Sequence, residues 1–219
     1  MDIQINEKTV VVFDLDDTLY NELDFLISAY KEIADYLEDK NSKELFSIMF
    51  SLYRNKKNAF EYLEKVYNVS KEKLISLYIN HMPNIKLSVG ALDLINNIKK
   101  RKGKVALITD GRSVTQRNKI ESLGLNNMLD FISISEEIGY SKPSEKSFLL
   151  IEDYFKLDNY FYIADNHKKD FFAPNKLKWT TIEVLDNGKN IHSNSYLYDT
   201  NSFYRAKRVI FNLEEVKIN

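Results

Sequence analysis

Short, almost continuously apolar runs recur along this chain and alternate with segments of helical spacing. The runs have the length and composition of strands and lie at 9–13, 104–108, 131–134, 160–164 and 181–184. Helical patterns at roughly 89–101, 113–123 and 144–154 fall between the runs. Strands that alternate with helices pair in parallel and are covered on both faces, which is why they are apolar throughout. The sequence therefore predicts an α/β fold built on a parallel sheet.

Two glycines follow helical patterns at the places where those helices are expected to end. Gly103 comes after the pattern at 89–101, and Gly124 comes after the pattern at 113–123. Helices commonly close on a residue in the left-handed conformation, which glycine adopts without steric cost. We therefore expect both glycines to have positive φ angles.

The segment from 20 to 87 is far longer than the crossover of about a dozen residues that joins two parallel strands. Its apolar residues recur with helical spacing, as in Leu23, Leu26, Ile27 and Tyr30, and the pattern indicates four helices. We expect a core formed by residues 1–19 and 88–219, interrupted by a helical insertion at 20–87.

The residue types that the chain lacks exclude several kinds of functional site. The 219 residues include no cysteine, which excludes disulfides, thiolate metal sites and a cysteine nucleophile, and only three scattered histidines. Any metal ion is therefore expected to be a hard cation bound by oxygen ligands. The six glycines are too widely spaced for a nucleotide-binding loop of the GxGxxG or GxxxxGK[ST] type.

Charge and hydropathy argue against two classes of partner. Lys and Arg number 31 and Asp and Glu number 32, so the net charge of -1 gives no basic excess for nucleic acid. No apolar run approaches the roughly 18 residues of a membrane helix, and the first residues lack the pattern of a signal peptide. We expect a cytoplasmic protein that binds neither nucleic acid nor membrane, and no obligatory protein partner is evident.

The first strand runs directly into Asp14-Leu15-Asp16-Asp17-Thr18. In a parallel sheet the ligand crevice lies outside the carboxyl ends of the strands, so carboxylates at this position face the site. Asp14 and Asp16 lie on one side of an extended chain and can converge on one reacting group. The alternative is that Asp16, Asp17 and Thr18 only cap the following helix, a role that Asp and Thr favour.

Polar residues also follow the later strands. Thr109-Asp110-Gly111 ends the second strand, Lys142 lies in the loop after the third, and Asp165 and Asp170 follow the fourth. Each feature alone is typical of an ordinary turn, loop or helix cap. Together they place a hydroxyl group, a cation and a second acidic cluster on the rim that carries Asp14. We therefore expect these residues to form one site.

The order of these motifs resembles that of the haloacid dehalogenase (HAD) superfamily of hydrolases, and the resemblance covers nearly the whole chain. The DxDx[TV] motif of that family is similar to residues 14–18, and its GDxxxxD motif is similar to residues 165–170, with Ala164 replacing the usual glycine. Thr109 and Lys142 match its Ser or Thr after the second strand and its basic residue. The resemblance implies a Rossmann-like parallel sheet with a helical C1 cap of subfamily I.

The resemblance implies a Mg²⁺-dependent phosphatase that hydrolyses a small phosphorylated metabolite. Asp14 would attack the phosphoryl group and form an aspartyl-phosphate. Asp16 would act as general acid and then as general base, so its pKa should lie near the working pH. Mg²⁺ would be bound by Asp14, Asp165 and the backbone carbonyl of Asp16, while Asp170 would orient these ligands.

The same resemblance implies which groups hold the phosphate. Lys142 would neutralise the charge of the phosphate and the nucleophile. The Thr109 hydroxyl and the backbone amides of Asp110 and Gly111 would bind the transferred oxygens.

Substrate-binding residues are defined by position alone. The candidates are Tyr20, Asn21, Glu22, Arg54 and Arg112. A surface or hinge role is an equal alternative for each of them. His167 is expected to be a solvated loop residue rather than a catalyst.

Asp16 also helps to distinguish between the activities found in the family that the chain resembles. A halide leaving group needs no proton, so the second acid favours phosphoryl transfer over dehalogenation. A phosphomutase keeps both acids, and this alternative stays open. The alternative from another class is a phospho-accepting signalling or binding protein without turnover. The acid pair on the first strand and the long insertion argue against a receiver domain, and the presence of Asp14, Asp16 and Lys142 argues against loss of catalysis.

Overall fold

The structure is a computed structural model that describes residues 1–192 and 202–219. The strands in chain order are β1 (Asp2–Ile3), β2 (Thr9–Phe13), β3 (Lys104–Thr109), β4 (Phe131–Ile134), β5 (Asn159–Ala164), β6 (Thr180–Val184), β7 (Arg208–Ile210) and β8 (Lys217–Ile218). Among the described residues, β2 to β7 form one parallel sheet in the order β4-β3-β2-β5-β6-β7, and β1 pairs in parallel with β8. The predicted fold class, a Rossmann-like parallel α/β sheet, is confirmed.

Helices cover both faces of this sheet and fill the segment between β2 and β3. They are α1 (Glu22–Leu37), α2 (Ser42–Arg54), α3 (Ala59–Tyr67), α4 (Lys71–Asn80), α5 (Ala91–Lys100), α6 (Ser113–Ser122), α7 (Ser135–Ile138), α8 (Lys146–Phe155) and α9 (Phe172–Lys176). Helices α5, α6 and α8 agree with the three predicted helical patterns to within a few residues. No helix in the two described ranges is long and apolar enough to cross a membrane.

Strand β2 is buried along its whole length because successive side chains enter different cores. Phe13 packs on one face of the sheet with Ile95 of α5. Val12 packs on the other face with Phe148 of α8. Full burial of such side chains stabilises the fold by about 1.5–3 kcal/mol each, so the central strand is held firmly and the residues that follow it are well positioned.

Helices α1 to α4 lie within residues 20–87 and share an apolar cluster of their own. Its fully buried members include Ile33, Met49, Leu63 and Leu74, one from each helix. Helical spacing therefore predicts these four helices correctly. The division of the chain into a core and a separate insertion stays a prediction.

Two structural features near the chain end have no counterpart among the predicted strands. Strand β7 extends the sheet beyond β6, and β8 pairs with β1. These strands have three and two residues, which is too short for an apolar period to stand out from the surrounding polar sequence.

The prediction for the two helix-closing glycines is correct at one position and wrong at the other. Gly124 has a φ of 70°. After α5, however, Lys102 adopts the positive φ of 65°, and Gly103 does not. Gly103 is needed for space, because a Cβ atom there would lie 2.5 Å from Cγ2 of Ile5 and 2.9 Å from Cγ2 of Ile98.

Candidate active site

The carboxyl ends of the central strands bring the predicted residues to one edge of the sheet. The order of strands reverses at β2, which lies between β3 and β5, and ligands of open α/β sheets bind at such a reversal. Asp14 directly follows β2, and its backbone N–H donates to the carbonyl of Ile163 at 2.9 Å. Thr109 ends β3, and Asp165 directly follows β5. The nucleophile candidate therefore lies between the candidate hydroxyl and the second acidic group.

Asp17 turns the chain from β2 towards α1. Its φ of 57° is in the left-handed region, and its carboxylate accepts hydrogen bonds from the backbone amides of Glu22 at 2.8 Å and Ile191 at 2.9 Å. Burial raises the pKa of Asp17 to about 6 although these hydrogen bonds oppose the rise. The helix-capping role considered for this motif thus falls to Asp17, while the carboxylates of Asp14 and Asp16 have other contacts.

Lys142 lies in the loop after α7 and connects the two acidic motifs. Its Nζ atom is 2.6 Å from Oδ1 of Asp14 and 2.6 Å from Oδ1 of Asp170, and its side chain is fully buried. The hydroxyl of Tyr162 accepts from Nζ at 3.2 Å and donates to Asp170 at 3.1 Å. Burial disfavours the ammonium, but the carboxylates of Asp14 and Asp170 outweigh this effect and hold the pKa of Lys142 well above its usual value. Lys142 is therefore a fixed positive charge beside the nucleophile candidate.

Asp14, Asp165 and Asp170 form a buried acidic cluster in which one oxygen from each lies within 4.8 Å of the others. Burial and the neighbouring carboxylates raise the pKa of Asp165 well above its usual value. Burial raises the pKa of Asp14 to about 7, although Lys142 opposes the rise. A cation would relieve this excess of negative charge, and carboxylate oxygens are the ligands that hard divalent cations prefer. The cluster therefore fits Mg²⁺.

The side chain of Asp16 points away from this cluster and towards α6. Its carboxylate accepts from Nζ of Lys119 at 2.7 Å, from Nε2 of Gln116 at 2.9 Å and from the Tyr20 hydroxyl. Burial raises the pKa of Asp16, but Lys119 and these hydrogen bonds outweigh burial and lower it. The expectation of a pKa near the working pH is wrong for this conformation, because Lys119 holds Asp16 as a carboxylate.

The loop after β3 is linked to the surrounding elements through hydrogen bonds. The buried Thr109 hydroxyl accepts from Nε2 of Gln116 at 2.5 Å. The Asp110 carboxylate accepts from the backbone N–H of Lys142 at 3.1 Å. The Gly111 amide, which was expected to hold phosphate, donates to Oγ of Ser135 at 2.9 Å. The Gly111 amide must therefore break its hydrogen bond with Ser135 before it can donate to a phosphate oxygen.

The substrate-binding candidates lie in different environments. Tyr20 is fully buried and contacts Asp16, so it positions that acid rather than lining an open pocket. The Arg112 side chain is 63% exposed and lies 3.7 Å from the carboxylate of Glu136. Arg54, at the end of α2, is also exposed. These positions favour a surface role for both arginines.

Asn21 takes the surface role that was its alternative, whereas His167 differs from expectation. Asn21 exchanges side-chain hydrogen bonds with Asn187 at the surface. His167 is not a solvated loop residue: it is 7% exposed, and its Nε2 atom lies 2.7 Å from the carboxylate of Glu183. The prediction for His167 is wrong because Phe171, just before α9, packs edge to face against the ring with centroids 5.4 Å apart.

A small cavity of about 30 Å³ opens between these groups. Its lining consists of Asp14, Asp16, Asp17, Glu22, Thr109, Asp110, Asp165, Asn166, Lys169 and His192. The Nζ atom of Lys169 lies 3.6 Å from the Asp110 carboxylate and brings a second cation to the site. Sequence reasoning missed this lysine, although its position beside Asp170 in the fourth motif was a usable signal.

Lys119 and Gln116 were also missed. They lie one turn apart on α6, so one face of this helix reaches both Asp16 and Thr109. In the sequence they look like ordinary polar residues of a surface helix. Both are in fact buried, with exposures of 3% and 2%.

The nucleophile candidate, the buried lysine and the acidic cluster lie together where the strand order of the parallel sheet reverses. This arrangement defines a class of enzyme that binds an anionic group beside a positive charge. Comparison with known proteins specifies the class further. Residues 11–184 match the family described as haloacid dehalogenase-like hydrolase, and the chain belongs to that family. The resemblance seen in the motifs is thereby confirmed, and the protein is a hydrolase of this family.

Similar proteins include a phosphatase and a nucleotidase. The chain is 26% identical over 223 residues to the glyceraldehyde 3-phosphate phosphatase of Methanocaldococcus jannaschii, covering 94% of this chain and 98% of that protein. It is 38% identical over 90 residues to the pyrimidine 5'-nucleotidase YjjG of Escherichia coli, covering 41% of this chain and 40% of that one. Among solved structures, a HAD phosphatase from Thermococcus onnurineus is similar with a TM-score of 0.61 and 18% identity, covering 94% of this chain and 95% of that chain.

Proposed function

We propose that the protein is a Mg²⁺-dependent phosphatase that hydrolyses a small phosphorylated metabolite through an aspartyl-phosphate at Asp14. The observation that carries the proposal is the environment of this residue. Asp14 directly follows the central strand, its carboxylate is 2.6 Å from the buried ammonium of Lys142, and it belongs to the acidic cluster. An anionic nucleophile can approach an anionic phosphate only where positive charge offsets their repulsion.

Asp14, Asp165 and the backbone carbonyl of Asp16 would hold the Mg²⁺ ion. Asp170 is close enough to be a ligand, but its carboxylate already contacts Lys142 and Tyr162, which favours a role in orienting the others. When bound, Mg²⁺ reduces the charge repulsion between nucleophile and phosphate and polarises the phosphoryl oxygens.

The reaction would proceed in two displacements at phosphorus. In the first, a carboxylate oxygen of Asp14 bonds to phosphorus, the bond to the leaving oxygen breaks, and Asp16 gives that oxygen a proton. In the second, Asp16 accepts a proton from the attacking water, inorganic phosphate leaves, and Asp14 is restored as a carboxylate. Lys142, the Thr109 hydroxyl and the Asp110 amide would hold the phosphoryl oxygens.

Asp16 needs a rearrangement before it can donate a proton. In the structure Lys119 keeps it ionised, so it must take up a proton and exchange Lys119 for the leaving oxygen of the substrate. The side chain of Asp16 is 18% exposed, so a proton can reach it from solvent. The contacts with Lys119, Gln116 and Tyr20 therefore describe the state that precedes substrate binding.

We propose that residues 20–87 form a C1 cap that closes over this site. Glu22, the first residue of α1, already lines the active-site cavity. Glyceraldehyde 3-phosphate, the substrate in the name of the relative that matches along almost its whole length, is the first compound to test.

The test is steady-state hydrolysis of p-nitrophenyl phosphate and glyceraldehyde 3-phosphate by the wild type and by Asp14→Asn. Wild-type turnover should require Mg²⁺, and Asp14→Asn should abolish it. The matched control is Asp158→Asn, because Asp158 is 68% exposed and pairs with Lys8 at the surface. Thermal melting of each variant separates loss of chemistry from loss of fold.

Metal-independent turnover, or full activity of a folded Asp14→Asn variant, would contradict the proposed mechanism. The phosphomutase alternative is tested separately by following phosphate release. A mutase would convert a sugar phosphate to its isomer in the presence of a bisphosphate while releasing little inorganic phosphate. A phosphatase releases one phosphate for each substrate consumed.

A further inference from the structure

Ser28, His81 and Glu32 form a second cluster of reactive side chains, outside the phosphatase site. Ser28 and Glu32 lie one turn apart on α1, and His81 directly follows α4. The Nε2 atom of His81 is 2.7 Å from Oγ of Ser28, and its Nδ1 atom is 2.6 Å from Oε2 of Glu32. A hydroxyl, an imidazole and a carboxylate are thus connected in series through the two nitrogens of one ring.

The hydrogen-bond partners decide where the protons of this cluster lie. A carboxylate can only accept, so the Nδ1 atom of neutral His81 carries the proton and Nε2 is free to accept one. Ser28 Oγ also accepts the backbone N–H of Asn84 at 2.8 Å. Because that amide can only donate, the serine proton is free to point at Nε2. With the proton on Nδ1, the ring can take a proton from Ser28 at Nε2.

The ring of His81 is held in this orientation by its surroundings. Its side chain is 5% exposed, and it packs edge to face on Phe25 with ring centroids 5.9 Å apart. The Nδ2 group of Asn118 donates to the backbone carbonyl of His81 at 3.1 Å. A general base that is fixed by packing and by a carboxylate has the arrangement of a nucleophile-base-acid triad.

A cavity of about 630 Å³ lies beside the cluster, within the size range of about 300–1,000 Å³ for small-molecule sites. Ser28, His81 and Glu32 all line it. The rest of its lining includes the apolar Ile27 and Ile85, the lysines Lys31 and Lys86, and the acidic Asp24 and Asp35. Apolar, cationic and acidic side chains thus share a space in which a small ester with a polar end would fit beside the Ser28 hydroxyl.

We propose that Ser28, His81 and Glu32 form a second hydrolytic site, which cleaves small carboxylic esters by acyl transfer to Ser28. Oγ of Ser28 bonds to the carbonyl carbon while its proton passes to Nε2 of His81. The bond to the alcohol oxygen then breaks, and His81 returns the proton to that oxygen. The product of this half-reaction is an acyl ester of Ser28.

Hydrolysis of the acyl-serine by water completes the cycle, with His81 again transferring the proton. His81 accepts a proton from a water molecule that attacks the acyl carbon, the bond to Oγ breaks, and the serine recovers its proton from His81 as the carboxylic acid leaves. Glu32 stabilises the imidazolium that forms in each half. The Asn84 N–H donates to Ser28 Oγ at 2.8 Å, and it would turn to the neighbouring oxyanion once Oγ bonds to the carbonyl carbon.

The experiment uses a fluorophosphonate probe and p-nitrophenyl acetate on the full chain. The probe should label Ser28, as read by mass spectrometry of the digested protein, and the protein should hydrolyse the ester. Ser28→Ala should lose the label and the ester turnover while keeping phosphatase activity. Glu32→Gln keeps a hydrogen-bonding group at a side chain that is 52% exposed, and it should slow labelling by about 100-fold.

Ser47→Ala is the matched control, because Ser47 is an exposed serine on α2. Its labelling pattern and ester turnover should equal those of the wild type. Absence of label on Ser28 in a folded wild type would overturn the proposal, and so would ester turnover that survives unchanged in Ser28→Ala. Labelling at the wild-type rate in Glu32→Gln would also overturn it. If Ser28→Ala does not fold, the Glu32→Gln rate and the site of the wild-type label decide the question.

Discussion

Replacing Lys119 by Met should destabilise the fold, because it leaves Asp16 as a buried carboxylate without its cation. In the wild type the two charged groups are 2.7 Å apart, and their side chains are 4% and 18% exposed. Met has a similar length and keeps the packing against Phe25, so the loss is mainly electrostatic. Removing one partner of a buried ion pair costs about 3–5 kcal/mol. The hydrogen bonds from Tyr20 and Gln116 remain, which places the expected loss at about 3 kcal/mol.

Urea unfolding followed by fluorescence measures this loss, because the only tryptophan, Trp179, is 2% exposed. With a denaturant slope of about 2–3 kcal/mol per molar, the midpoint should fall by about 1–1.5 M at pH 7.5. The control is the double variant Lys119→Met with Asp16→Asn, in which no charge is left unpaired. It should recover most of the lost stability.

The loss should also depend on pH. Burial raises the pKa of Asp16, but Lys119 and the hydrogen bonds outweigh burial and lower it. The stabilisation by ionised Asp16 is therefore present above the pKa of the unfolded chain, about 3.9, and is lost as the pH falls through the lower folded value. In Lys119→Met the pKa of Asp16 rises, so protonation relieves the unpaired charge and the gap to the wild type narrows towards pH 4. A loss below about 1 kcal/mol at pH 7.5, or a double variant as unstable as Lys119→Met, would refute this reasoning.

Four further substitutions test other contacts. Tyr20→Phe removes a hydrogen bond to ionised Asp16, and a hydrogen bond of this type contributes about 1.5–3 kcal/mol. We therefore expect kcat to change at least 10-fold and the pH-rate profile to shift. An unchanged profile would show that Tyr20 does not position the acid. Arg112→Ala should change kcat/KM by less than about twofold, because this side chain is exposed and its ion pair with Glu136 lies at the surface. Gly124→Ala should lower the free energy of unfolding by about 1 kcal/mol because φ is positive. Gly103→Ala should lower the free energy of unfolding by more, about 2–3 kcal/mol, because the new Cβ would collide with Ile5. Equal losses for the two glycine variants in urea unfolding would contradict the packing role of Gly103.

The positions of the motif residues could be predicted because parallel strands all end at one edge of the sheet. Asp14, Thr109 and Asp165 each follow a run whose apolar character marks it as a buried strand, so strand ends could be located from the sequence. Once the strands pair in parallel, these side chains have to meet. Four helices between β2 and β3 could be predicted in the same way from helical spacing.

Contacts that depend on tertiary packing could not be predicted. Lys119 and Gln116 have no local signal, because a polar residue on a helix looks the same whether it meets solvent or a buried carboxylate. The lowered pKa of Asp16 depends on that helix and was missed with it. Gly103 was assigned to a backbone conformation that Lys102 adopts instead, since only the packed structure shows how close Ile5 comes.

The central claim, that Asp14 carries the phosphoryl group during turnover, is tested most directly by the stereochemical course at phosphorus. The substrate is a phosphate ester made chiral at phosphorus with oxygen isotopes, hydrolysed by the wild type with Mg²⁺. Two successive displacements, first by Asp14 and then by water, predict retention of configuration. Inversion would mean that water attacks the substrate directly, and it would contradict the role assigned to Asp14.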